Sequence, residues 1–216
     1  MRCLPCSDTP GSRACARRLY MVPPFLAVMG ELDEALLQIR GYKRHLYDTE
    51  RQLFYHVKDV VKGEFVRKLY WATGNGWALM GLARVIEAAL KAGRDDVADE
   101  LVAFMTELLD GLLEWGTEDG RFRDILDDET SFVDGTSAVM MAAAVYRGIV
   151  LGFLPAEKYK AAADKAFETV SGHIDEYGLL RKVCGCPSFV ESGTSAEAQA
   201  AYIMADAWRR LGAIKR

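Results

Sequence analysis

Residues 71–90 read WATGNGWALMGLARVIEAAL. After the Gly74-Asn75-Gly76 opening this stretch is apolar on almost every side, with Ala, Gly, Leu and Met where a surface helix would carry charges. A helix of that kind is predicted to be buried on most of its faces. Two more stretches have the same form. Asp134-Gly135-Thr136-Ser137 precedes AVMMAAAVYRGIVLG, and Gly193-Thr194-Ser195 precedes AEAQAAYIMADAWRRLG. Asn, Asp, Ser and Thr accept hydrogen bonds from the free N–H groups of a first helical turn, so Asn75 and Asp134 read as caps.

Helices of a different character alternate with these. Residues 95–115 place Val97, Leu101, Phe104, Met105, Leu108 and Leu112 on one stripe, with acids on the other faces. Residues 155–170 put Tyr159, Ala162, Ala163, Ala166 and Val170 on one side and charges elsewhere, with Pro155 at a first-turn position. One dry face and one wet face mark outer helices. Between the helices lie turn-and-strand segments that resemble one another, TERQLFYH at 49–56, TEDGRFRD at 117–124 and DEYGLLRK at 175–182. Leu19–Gly30, containing Pro23-Pro24, reads as a further inner helix, and Asp33–Leu46 as its outer partner. The repeat predicts an all-α chain with four inner and three outer helices, part of a closed α/α ring. If the ring needs twelve helices, seven leave apolar inner surface open, a face suited to self-association.

Composition narrows the function classes. The 216 residues are half hydrophobic and about a quarter charged, as in a globular chain, with net charge −4 from 27 basic and 31 acidic residues. No basic stripe points to nucleic acid. No apolar run reaches the roughly 18 residues of a membrane span. Residues 1–18 have no apolar signal core, which predicts a cytoplasmic chain, and they lack helical periodicity, which predicts an irregular leader ahead of a domain at 19–216. Cys3 and Cys6 have the C-x-x-C spacing without the other ligands of a zinc site, so no metal and no cofactor is expected.

The run Tyr70-Trp71-Ala72-Thr73-Gly74-Asn75-Gly76-Trp77-Ala78 resembles the signature of the unsaturated rhamnogalacturonyl hydrolases, glycoside hydrolase families 105 and 88. Leu19 to Ala27, His56, Val183 to Pro187 and Gly193 to Ala200 resemble further family segments in the right order. The resemblance implies an (α/α)6 barrel of which this chain holds about seven of twelve helices, an N-terminally truncated member. It also implies an activity, hydration of the C4=C5 double bond of an unsaturated galacturonic acid at the end of a pectin-derived oligosaccharide. An Asp protonates that bond and assists water, and the resulting hemiketal opens to release the aglycone, typically rhamnose. One well-placed acid suffices for such proton delivery.

Carried over residue by residue, the resemblance implies that His56, Trp71, Thr73, Asn75, Trp77, Gly185 and Cys186 bind substrate. Each has a plainer reading beside it: core packing for the two Trp, a helix cap for Asn75, a satisfied loop residue for His56. Thr73 stands where many relatives carry Arg. The family's Asp falls three residues before Tyr20, and Arg17 occupies that place. Arg does not release its proton in the working range, so no catalytic residue is expected in this chain and it is expected to be inactive alone. Two rival readings stay open: a non-catalytic α/α-repeat binding module, and another enzyme on the same architecture.

Overall fold

The computed structural model of the chain describes residues 13–214, which form two compact units dividing between Glu114 and Trp115. Cys3, Cys6 and the rest of the leader up to residue 12 lie outside the described residues. In the first unit the elements run β1 (Arg13–Cys15), a 3-10 helix (Ala16–Tyr20), α1 (Val22–Val28), α2 (Leu32–Leu46), β2 (Tyr47–Asp48), β3 (Leu53–Phe54), β4 (Val57–Asp59), β5 (Glu64–Arg67), α3 (Ala72–Lys91) and α4 (Asp95–Leu113). The second unit holds β6 (Phe122–Arg123), β7 (Val133–Asp134), α5 (Thr136–Leu151), α6 (Ala156–Ser171), β8 (Val183–Cys184), β9 (Ser192–Gly193) and α7 (Ala196–Ile214).

The alternation of helix types follows from side-chain patterning. In α3 the buried residues fall on every face, from Ala72 through Leu79, Leu82 and Val85 to Ala89, whereas α4 buries only the stripe through Val97, Leu101, Phe104, Leu108 and Leu112. α5 repeats the first pattern and α6 the second, the latter burying Tyr159, Ala163, Ala166, Phe167 and Val170. In the first unit Tyr47, Phe54 and Phe104 meet edge to face, with centroids 5.0–5.8 Å apart, and join β2 and β3 to α4. The two buried rings, Phe54 and Phe104, each contribute roughly 1.5–3 kcal/mol through burial alone. Glycine permits the closest backbone approach: a Cβ on Gly81 of α3 would lie 2.3 Å from the Leu19 carbonyl oxygen. That position holds α3 tightly against the 3-10 helix.

The structure corrects several expectations. Residues 13–18 are not irregular, because β1 pairs antiparallel with β4 (Arg13 with Asp59, Cys15 with Val57) and leads directly into the 3-10 helix. β-pairing is a long-range bond that helical periodicity cannot reveal. The single helix expected over Leu19–Gly30 divides at Met21 into the 3-10 helix and α1. Pro155 is the N-cap of α6, one residue before its first turn. α7 is apolar in sequence, yet it buries only Ala198, Ala201 and Ala205 and leaves Ile203 59% exposed. Its composition shows that the helix can be covered and says nothing of what covers it.

Candidate functional site

The aromatic end of α3 is built by one short sheet and one helix start. β4 is the central strand of a three-stranded antiparallel sheet, order β1-β4-β5, in which Cys15, Val57 and Arg67 lie side by side. His56 precedes β4 and is held through its backbone on both sides. Its carbonyl accepts from Ala16 N at 3.2 Å and its N–H donates to Leu69 O at 3.0 Å. Trp71 is the extended residue just before α3, and its ring lies 4.5 Å from the imidazole at 34°. A Cβ on Gly74 would touch that ring at 3.0 Å, so glycine is needed for Trp71 to fold back over the first turn.

The imidazole environment is unusual for a histidine. His56 is only 5% exposed, and its Nδ1 is buried without a hydrogen-bond partner. Burial first, and then the Arg67 and Arg17 guanidinium groups, lower its pKa to about 3, so the ring is neutral across the physiological range. Arg17 and Arg67 are themselves partly exposed. Arg67 is the residue that reading the sequence missed. The signal was the Lys62-Gly63 turn between two short alternating runs, with Gly63 at φ +74°, which marks the β4–β5 hairpin.

Acidic groups nearby are already engaged. Asp48 accepts from the hydroxyls of Tyr55 at 2.6 Å and Tyr70 at 2.7 Å, whose rings stack 4.6 Å apart. Burial pushes its carboxyl up, but those hydroxyls and the N–H groups of Arg51 and Glu50 outweigh that and hold it down at about 2. Asp59, buried in β4, caps its own turn by accepting from Val61 N at 3.1 Å and Lys62 N at 3.0 Å.

The sequence-derived site residues have different fates. His56 and Trp71 come together in contact. Trp77 lies in the second turn of α3 against Tyr20, with centroids 4.7 Å apart, and Arg84 donates to that Tyr20 hydroxyl at 3.0 Å. Thr73 is buried. Asn75 is not a cap, because α3 begins three residues earlier at Ala72. It is fully buried: Oδ1 accepts from Phe54 N at 2.8 Å, and Nδ2 donates to Phe54 O at 3.2 Å and Trp71 O at 3.0 Å. It closes the end of β3 onto α3, and it has no exposed surface to offer a ligand.

Gly185 and Cys186 belong to the second unit. They lie in a loop closed by Gly185 N to Glu191 O at 2.9 Å and Cys186 N to Thr194 O at 3.0 Å; Gly185 is buried and Cys186 exposed. Close to them, Asp134 accepts from Thr136 N and Cys184 N, both at 2.7 Å. The same unit has a groove of about 540 Å3 lined by Tyr146, Phe167, Trp208 and Arg209, with Lys160 and Asp164 at its edge. Asp164 is tied to Lys160 and accepts from the Tyr146 hydroxyl at 2.9 Å, so its carboxylate is not poised for chemistry. Among the described residues no group of His, Cys, Asp and Glu is arranged to hold a metal ion, and no helix is long and apolar enough to cross a membrane.

Comparison with known proteins matches residues 17–208 to the model of Glycosyl Hydrolase Family 88. An unsaturated rhamnogalacturonyl hydrolase of Bacillus subtilis is 22% identical over 178 residues, covering 79% of this chain and 49% of the relative. An unsaturated 3S-rhamnoglycuronyl hydrolase of Formosa agariphila is 27% identical over 213 residues, covering 90% of this chain and 53% of the relative. The crystal structure of a possible family 105 member from Salmonella enterica superposes with a TM-score of 0.81 at 19% identity, over 97% of this chain and 60% of that one. The chain thus spans about half the length of the curated relatives it matches. The likeness shows the fold: mainly α, of the six-hairpin glycosidase kind, with short strands between its helices.

Proposed function

The chain belongs to glycosyl hydrolase family 88, and from that premise we propose that its first unit receives the unsaturated galacturonic-acid end of a pectin-derived oligosaccharide without turning it over alone. The observation that carries this reading is the contact of His56 with Trp71 beside Arg17 and Arg67, a site with an aromatic wall and cations and, among the described residues, no available proton donor. Hydration of an enol ether begins with a proton delivered to carbon. Arg17 holds its proton at any working pH. His56 has none to lend as an acid, since its pKa of about 3 leaves it neutral. Asp48, at about 2, is ionised and locked by two tyrosines. Trp71, 7% exposed with its ring against His56, supplies the aromatic surface.

The test follows the ultraviolet absorbance of the conjugated double bond in an unsaturated galacturonyl-rhamnose disaccharide. Purified chain is expected to leave it unchanged at catalyst concentrations far above those an active enzyme needs. A steady decline with release of rhamnose would overturn the reading.

A second element of the proposal is self-association through an open apolar face. On α1 and the residues flanking it, Met21, Val22, Phe25, Val28 and Met29 fall at helical spacing and are all exposed, Val28 at 72%. Such a stripe on one helix is more than a lone surface apolar residue. Sedimentation velocity is expected to show dimers or larger species that Phe25→Glu with Val28→Glu returns to monomer. A wild-type chain that stays monomeric across concentrations would remove this element.

A further inference from the structure

The β4–β5 hairpin collects positive charge in a chain that is acidic overall. Residues 57–68, VKDVVKGEFVRK, hold Lys58, Lys62, Arg67 and Lys68 against Asp59 and Glu64, whereas the whole chain has net charge −4. Cations on the helices meet carboxylates, as Arg40 does Glu100, Lys43 does Glu107 and Arg210 does Asp206. Among the described residues neither Lys58 nor Lys68 forms an ion pair; their ammonium groups meet aromatic rings instead.

The rings form a fixed platform. Tyr55 and Tyr70 stack with centroids 4.6 Å apart, and Phe65 meets the Tyr55 ring edge to face at 4.9 Å. The Lys58 ammonium lies 4.9 Å from the Phe65 centroid. That of Lys68 lies 5.7 Å from the same centroid and 5.6 Å from the centroid of Tyr55. Strand register gathers them: Lys58 is the cross-strand partner of Phe65, just past the irregularity between Val57 and Lys58. A cation at this range is drawn to the negative face of a ring and keeps its charge.

Two ammonium groups held at one ring repel each other, and the acids around them are committed elsewhere. Asp48 accepts from the Tyr55 and Tyr70 hydroxyls, and Asp59 from the Val61 and Lys62 N–H groups. Glu64 stands at the opposite end of β5 from Lys68. The platform also adjoins the aromatic contact described above. Tyr55 and Tyr70 are the chain neighbours of His56 and Trp71, on two segments joined by the His56 N–H to Leu69 O bond at 3.0 Å.

We propose that Lys58 and Lys68, seated on the Phe65 and Tyr55 rings, bind carboxylates of further uronate residues in an acidic oligosaccharide, at a site distinct from the His56–Trp71 contact. An ammonium is a point charge with several donors, so it suits carboxylates that arrive in more than one orientation along a polymer. The rings restrict the lysine stems beforehand, which lowers the ordering cost of binding. The site therefore favours long, unesterified chains over short or esterified ones. The choice of an acidic sugar as ligand rests on the reading that this unit receives a pectin-derived oligosaccharide.

The experiment is isothermal titration calorimetry of the full chain with saturated trigalacturonate, which has a carboxylate on every ring and no double bond. Its methyl ester and the unsaturated galacturonyl-rhamnose disaccharide are titrated beside it. The acid is expected to bind about tenfold tighter than the ester, the scale of a pair of exposed ion contacts, and the gap to narrow as salt rises. Lys58→Gln combined with Lys68→Gln is expected to bring the acid down to the affinity of the ester and to leave the disaccharide unchanged. Lys58→Arg combined with Lys68→Arg keeps both charges and is expected to keep most of the affinity. Thermal melts confirm that the variants are folded. Equal binding of acid and ester, or an unchanged acid affinity in the glutamine variant, overturns the lysine site; the disaccharide still binding in that case leaves the reading of the unsaturated end standing. A capped tri-L-glutamate peptide that binds as tightly as trigalacturonate overturns the assignment to an acidic sugar. Binding of neither saccharide overturns both.

Discussion

The openings of α3 and α5 use two side chains of almost the same shape, Asn75 and Asp134, and both are fully buried. Asn75 lies inside its helix and faces one donor and two acceptors: Phe54 N, Phe54 O and Trp71 O. Asp134 lies just before its helix and accepts from three backbone donors: Thr136 N and Cys184 N at 2.7 Å, and Ser137 N at 3.5 Å. An amide carries both kinds of group, and an ionised carboxylate carries acceptors alone. Each site therefore selects its residue by the polarity of the backbone around it. Both side chains do the same structural job, fastening a short strand to an inner helix, in two units that arrive at it with opposite electrostatics.

Exchanging the two chemistries is the most direct way to break this comparison. Asn75→Asp keeps the acceptor for Phe54 N but turns an ionised oxygen toward two carbonyls in a site with no exposure. The unpaired buried charge is expected to cost about 3–5 kcal/mol, the largest effect foreseen for a single substitution here. Denaturant titration of the folded chain reads it directly. Because protonation restores one donor, the loss is expected to shrink as pH falls below the raised pKa and to level off at the usual carboxylate value, where the unfolded chain is protonated too. The folded state raises the pKa of the new Asp, so its penalty is present above that pKa and relieved below it. A penalty independent of pH would show that packing and not charge makes the site select an amide.

The same pair shows what the sequence could disclose. Helices α3 to α6 are legible because their apolar periodicity is a local property, and the family resemblance rests on residues 70–78, which are contiguous. Asn75 and Asp134 were legible only as polar residues near helix starts, which is why both read as caps. The local half of the Asp134 reading holds, since it accepts from Thr136 N in the first turn of α5. Each residue also has a partner 21 or 50 residues away, Phe54 and Cys184, and no spacing rule reaches that far. The candidate site divides in the same way. Trp71 and Trp77 stand out in one motif, whereas Arg17 read only as a lost acid and Arg67 not at all. What joins them is the β1–β4–β5 pairing, made by strands of three and four residues too short to announce themselves by pattern.

Asp134→Asn is the milder half of the exchange. The substitution keeps an acceptor in place for Thr136 N and Cys184 N, so neither bond need be broken. What is lost is charge: two charge-assisted bonds become neutral ones, the first turn of α5 loses an anion at its positive end, and the new amide points a donor toward Ser137 N. These terms together predict about 1–2 kcal/mol of destabilisation, clearly below that of Asn75→Asp. The effect is expected to be local to β8 and the start of α5, so amide hydrogen exchange at Thr136 and Cys184 is the sharper measurement. Faster exchange at those two amides, with the rest of α5 protected, is the expected pattern. Equal costs for the two exchanges would mean that both sites respond to the loss of a fitted shape, and that the backbone polarity distinguishing them has no energetic weight.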